Sequence, residues 1–179
     1  MIESEMEYFS ESYFRKFNVL YEQRSFCECD RNALPNAVFD IFLSYNINDY
    51  DVVKGIYYKL SKMGYRVYLD NVVDPGLKTK KTDKETAAII HNRLLHSKSL
   101  IYAHSANANQ SNWMPWELGI ADGRGCKCMI MPVALSDNSV PKKREYLFLY
   151  PYLMKGTLDT ICIESDDAFI SGQLLKTYL

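Results

Sequence analysis

The 179 residues are 47% apolar and 24% charged, which suits one compact α/β domain and leaves little for a second. With 21 basic and 22 acidic side chains spread along the chain, there is no positive field to draw nucleic acid or anionic lipid. No run approaches the roughly 20 apolar residues that span a bilayer, and the opening MIESEMEYFS has no basic stretch before an apolar one, so a cytoplasmic protein with neither nucleic acid nor membrane as partner is expected.

In chain order, the first element is a helix. Ser4 and Glu7 stand in capping-box spacing, and Ile2, Met6, Phe9, Tyr13, Phe17 and Leu20 form one apolar stripe, which is expected to pack on the domain body. A charged stretch from about Ser25 to Asn36 reads as a linker. From there apolar runs alternate with helical patterns, the signature of βαβ units and a parallel sheet. Val38 to Ser44 is a strand, followed by a helix from about Asp49 to Met63 with Val52, Val53, Ile56, Tyr57 and Leu60 on one face and Gly64 past its end. Tyr65 to Leu69 is the second strand. Asp74 to Lys81 reads as a loop that only Leu77 holds to the core. A helix follows, opened by Thr82 and Glu85 and running through Ile89, Ile90 and Leu94.

Ser99 to Ala103 makes a third strand and Cys128 to Val133 a fourth, which is expected to lose partners at Pro132 because proline donates no ladder bond. Thr160 to Ile163 is a weak fifth strand, and Ser165 to Tyr178 a closing helix. Right-handed crossovers in this order predict a flavodoxin-like sheet of about five strands in the order 2-1-3-4-5, with ligands outside the carboxyl ends of the strands. Ser44, Tyr45, Asp70, His104 and Ser105 then share one rim.

Metal chemistry has little support. Five cysteines form the pairs Cys27/Cys29 and Cys126/Cys128, but the count is odd and the C-x2-C spacing of zinc ribbons is missing. His91 and His96 are five apart on a helix and so not on one face, and His104 is single. No acidic pair follows the first strand to hold magnesium, which argues against a response regulator.

Between Ser105 and Gly123, small and amide residues lead into two tryptophans, Pro115 and a glutamate. Pro115 suits a first helical turn, and Trp116 and Glu117 are placed in that turn, with the carboxylate at the positive end of the helix dipole. Taken alone, a helix-start glutamate beside two core aromatics is the simpler account. The ordered set changes the odds: DIFLSYNIND (Asp40 to Asp49), the strand end Tyr68 to Asp70 with Pro75 and Gly76 beyond it, and Ser105, Ser111, Trp113, Trp116, Glu117, Leu118 and Gly119. This set resembles the TIR domain family, in particular its stand-alone bacterial branch, over about residues 38 to 135. The domain is accordingly expected over residues 37–179, with residues 1–36 as N-terminal helix and linker.

The resemblance implies NAD glycohydrolase or ADP-ribosyl cyclase chemistry, with NAD as substrate rather than cofactor and no metal. It implies Glu117 as the catalytic group, Ser44, Tyr45, Asn46, Asp70, Ser105, Ser111, Trp113 and Trp116 around the substrate, and Pro75 and Gly76 in a loop for self-association. The arginine often found after the family's first strand is replaced here by Asn46-Ile47-Asn48. The bacterial branch is similar to Thoeris-type anti-phage proteins, which implies an ADP-ribose-derived signal for a separate effector. Two other readings stay open: a non-catalytic adaptor acting through TIR–TIR contacts, and a nucleoside deoxyribosyltransferase, which attacks an N-glycosidic bond from a similar sheet.

Overall fold

The computed structural model describes residues 6–23, 34–79, 84–137, 139–141 and 144–179. Its frame is the expected one. The strands are β1 (Phe9–Ser10), β2 (Phe39–Ser44), β3 (Val67–Tyr68), β4 (Ser97–His104), β5 (Lys127–Ala134), β6 (Tyr152–Lys155) and β7 (Ile161–Glu164). They order as β3-β2-β4-β5-β6-β7, parallel except for the β6–β7 pair. Central strands buried on both faces read as continuous apolar runs, and β2, β4 and β5 do.

Alternation along these strands feeds two cores. Ile41, Leu43, Ile101, Ala103, Met129 and Met131 face one side, under α1 (Glu11–Arg15), α2 (Asn18–Gln23) and α3 (Tyr50–Lys62). Phe42, Leu100, Tyr102, Cys128 and Ile130 face the other, under α5 (Lys84–Leu95) and α6 (Trp113–Gly123). A four-residue helix, α4 (Asp70–Val73), follows β3. Helix α3 ends where expected, with Gly64 at a φ of 94° and its N–H on the Ser61 carbonyl.

Three expectations need correction. The fifth position of the sheet belongs to β6, and the run read as the fifth strand is β7, an antiparallel edge beyond it. Pro151 hid β6 by standing directly before a four-residue run, although its carbonyl accepts the Ile130 N–H at 2.9 Å. The closing helix shrinks to α7 (Leu175–Tyr178), because the chain before it turns back through Gly172, at a φ of 81°, to place Leu174 beside Cys162. The N-terminal stripe is not one helix. Glu7 bridges Lys155, β1 pairs with the end of β5, and Ser10 rather than Ser4 is the described cap, accepting from the Tyr13 N–H. Ser4 itself and most of the linker lie outside the described residues.

Pro132 produces a handover rather than an end. Its pairing with His104 is the last between β4 and β5, and β1 then takes the other side of β5 at Val133 and Ala134. The N-terminal segment does pack on the body, and closely. A Cβ on Gly55 of α3 would stand 2.1 Å from the Phe14 carbonyl oxygen, so only glycine lets α1 approach this near. Beside it the ammonium of Lys59, 8% exposed, donates to the Tyr13 hydroxyl at 2.7 Å and to both the carbonyl and Oδ2 of Asp159 at 2.8 Å.

Candidate active site

The ends of β2, β3 and β4 deliver polar residues to one rim, as an open α/β sheet should. A cleft of about 1060 Å³ opens there, walled by the loop after β2, by Asp70, by α5 and by the start of α6. Tyr45, Asn46, Asp70, Ser111, Trp113, Trp116 and Glu117, all singled out from the sequence, line it.

Glu117 is 8% exposed and projects from the second turn of α6, not the first. The helix dipole is therefore weaker at its carboxylate than the sequence suggested, since the effect fades beyond one turn. Burial governs instead, pushing the carboxyl from 4.5 up to about 7. The Ser44 hydroxyl, buried at the end of β2, donates to Oε2 at 2.5 Å and opposes the shift, while the charge of Asp70 adds to it. The first turn of α6 is capped by Ser111, whose Oγ accepts the N–H groups of Trp113 and Met114 at 3.2 Å each. Pro115, third in the helix, lacks an N–H where none is needed. Trp113 and Trp116 meet edge to face, centroids 5.3 Å apart, with Trp116 39% exposed.

Asp70 opens α4. Its Oδ1 accepts the Tyr45 hydroxyl at 2.7 Å and the Asn71 N–H at 2.6 Å, and the Asn71 side-chain amide donates to the Tyr45 hydroxyl oxygen. Asn46 caps the 3-10 turn Ile47–Asp49 and donates to the Asn107 carbonyl at 2.8 Å. Ser105 is not on the cleft surface. It is buried, donates to the Asp49 carboxylate and accepts the Ala108 N–H, while Asn107 donates to the same carboxylate at 2.6 Å. Those bonds tie the loop after β2 to the loop after β4 and hold the rim in shape.

Pro75 and Gly76 lie exposed on the 3-10 turn Pro75–Thr79, with Leu77 turned into the cleft wall. Leu77 is not the sole anchor of this segment: Arg93 grips Asp74 through Nε and Nη2 at 2.9 Å each, and the Tyr68 hydroxyl donates to Asp74 at 3.0 Å. Lys80 and Lys81 lie outside the described residues. Sequence reasoning missed the part that Leu77 and the α5 residues Thr86, Ala87 and Ile90 take in lining the cleft. On a helix, Ala87 and Ile90 look like any apolar stripe.

Among the described residues, no group of three or more His, Cys, Asp or Glu is placed to hold a metal ion, and no helix is long and apolar enough to cross a membrane. Cys126, Cys128 and Cys162 are free thiols, and burial pushes that of Cys128 up to about 12. The described lining combines two carboxylates, two indoles and several amides, with no basic side chain. Such a surface favours a ligand that carries or develops positive charge.

The sequence profile of the TIR domain matches residues 41–159. A protein of Bacillus cereus (strain MSX-D12), described as a probable 3' cyclic ADP-D-ribose synthase, ThsB', is 43% identical over 130 residues, covering 72% of this chain and 67% of that protein. A putative cyclic ADP-D-ribose synthase, TIR2, of Cytobacillus dafuensis is 27% identical over 88 residues, 49% of this chain and 23% of that protein.

Proposed function

The chain belongs to the TIR domain family, and we propose that it breaks the nicotinamide–ribose bond of NAD, with Glu117 as the catalytic carboxylate. One observation carries the proposal: a buried carboxylate at the mouth of an aromatic cleft, held by Ser44 and facing a second acid, Asp70. Glycosidases need an acid to protonate the leaving oxygen and a second group to stabilise the oxocarbenium-like sugar. Nicotinamide in NAD is already cationic and departs neutral, taking the electron pair of the C–N bond. Only the second task remains, and one ionised carboxylate can perform it, more effectively in a partly dry cleft than in water.

Trp113 and Trp116 exclude water and offer ring faces or edges to the substrate, and Tyr45, Asn46 and Ser111 shape the rim around it. Ser44 and Ser105 act from behind the surface, the first on Glu117 and the second on the rim. The relatives named as cyclic ADP-D-ribose synthases favour closure of the ribosyl centre by one of the nucleotide's own hydroxyls rather than by water. On this proposal NAD is the substrate and no separate cofactor takes part. The protein works in the cytoplasm, self-associates through the Pro75-Gly76 turn, and sends an ADP-ribose-derived signal to a separate effector in anti-phage defence.

The test is to incubate the pure chain with NAD over a range of protein concentrations and analyse the products by mass spectrometry, with deoxynucleosides as control substrates. Nicotinamide together with a product one water lighter than ADP-ribose is expected, rising steeply with protein concentration. Absence of nicotinamide release at every concentration, from a chain that still self-associates, would favour the adaptor reading.

A further inference from the structure

The bonds around Asp70 run in one direction. The Tyr45 hydroxyl has a single proton, which goes to Asp70 Oδ1, while its oxygen receives the side-chain amide of Asn71. The phenol is thereby committed: it cannot also donate to Glu117 or to a substrate. Asn71 adds its backbone N–H to the same carboxylate oxygen. The side chain of Asn71 has little structural reason to be polar, because its Oδ1 is buried with no hydrogen-bond partner among the described residues. A buried acceptor left unmatched lowers stability, and an aliphatic side chain of similar size would fit at less cost. What the asparagine uniquely supplies is the donor that orients Tyr45.

We infer that Asn71 is a positioning residue of the site: through the Tyr45 hydroxyl it holds the Asp70 carboxylate fixed in the cleft beside Glu117. The inference rests on the proposed NAD-cleaving reaction. Two carboxylates on one cleft suit a ribosyl cation better than one, and the second has an effect on the first. Like charges disfavour each other's ionised form, so a fixed Asp70 keeps the proton affinity of Glu117 high. The titratable groups that reach Glu117 are Asp70 from α4, Tyr45 after β2 and Tyr102 from β4. Both phenols are pushed up by burial and stay protonated, so Asp70 is the one carboxylate among them. Tyr68, from β3, also feels Asp70 and is likewise held protonated by burial.

Asn71→Leu tests this in the full chain, with nicotinamide release measured as a function of pH. The expected result is a loss in kcat of about tenfold with KM for NAD within about twofold, as for an interaction that counts in the transition state. The acid limb of the profile should move to lower pH while Tm stays level or rises. Tyr45→Phe should reproduce the shift, and Asn71→Leu should add nothing in that background, because the amide acts only through the hydroxyl. Carbon-13 carboxyl titration by NMR reads the Glu117 midpoint without turnover and should fall in both variants. Unchanged kcat and midpoint, a falling Tm that tracks the activity loss, or additive effects in the double variant would each overturn the assignment. Glu117→Gln is run alongside: if it keeps full turnover the catalytic reading itself fails, whereas a dead Glu117→Gln beside an unaltered Asn71→Leu removes only the role of Asn71.

Discussion

Lys59 and Glu117 are equally buried, 8% exposed each, yet the molecule treats them in opposite ways. Lys59 lies where the N-terminal segment meets α3 and has three partners at 2.7–2.8 Å, a phenol, a carbonyl and a carboxylate. Glu117 lies where the strands end and, among the described residues, accepts from the Ser44 hydroxyl alone, with a second carboxylate near enough to repel it. A charge with every donor matched holds a fold together; a charge left short of partners is available for chemistry. The difference separates a structural side of the sheet from the side proposed to be reactive.

Substitution at the two positions should have opposite consequences. Glu117→Gln is expected to lower NAD cleavage on the order of a thousandfold, as removal of a preorganised charge does, and to raise stability at pH 8. The size follows from the pKa: folding raises the carboxyl from 4.5 to about 7, so the folded state holds the proton more tightly. The stability from this group is complete below about pH 4.5 and is lost as pH rises through 7, a change of roughly 3 kcal/mol at about 1.4 kcal/mol per unit. Chemical denaturation at pH 5 and pH 8 reads this. A gap between wild type and variant that does not widen with pH would break the contrast.

On the proposed mechanism the same group sets the rate. Cleavage needs the ionised carboxylate, so turnover should climb about tenfold per unit up to a bend near pH 7 and then level off. A profile flat from pH 5 to 8, in protein shown to stay folded, would assign the chemistry elsewhere. On the structural side, Lys59→Met should cost about 2 kcal/mol, less than a fully enclosed pair because the Asp159 side chain is 54% exposed. The folded fraction should keep its kcat. Gly55→Ala should cost about 1–3 kcal/mol, since the new Cβ meets the Phe14 backbone and α1 must shift. The smallest stability change is expected for Pro75→Ala with Gly76→Ala, which leaves Tm nearly unchanged while light scattering and NAD turnover fall together. Loss of one without the other would sever self-association from catalysis.

Much of this arrangement was legible in the sequence where local pattern and tertiary role coincide. The stripe of α3, the apolar runs of β2, β4 and β5, and the order of Trp113, Trp116 and Glu117 each reflect a constraint expressed within a few residues. What escaped depends on distant partners. Phe9 and Ser10 become strand only because the end of β5 stands vacant beside them, and their spacing in the sequence equally suits a helix. Tyr152 to Lys155 is too short to declare itself and is defined by β5 on one side and β7 on the other. Asn71, behind Tyr45, and Thr86, on the cleft wall, carry no local sign of where they point, whereas Glu117 could be found because the order of residues around it resembles the TIR family's.

The seating of β1 against β5, with Glu7 bridging Lys155 of β6, bears on how the protein is made. During synthesis Phe9, Phe14 and Tyr21 leave the ribosome long before the strands they cover exist, and each ends buried. Until β5 and β6 have emerged, these aromatics are exposed and open to premature contacts, the situation in which chaperones act. Pairings so far apart in sequence also slow folding, because the intervening chain must first be gathered. The first described segment of this domain can therefore dock only after β5 and β6 have been made.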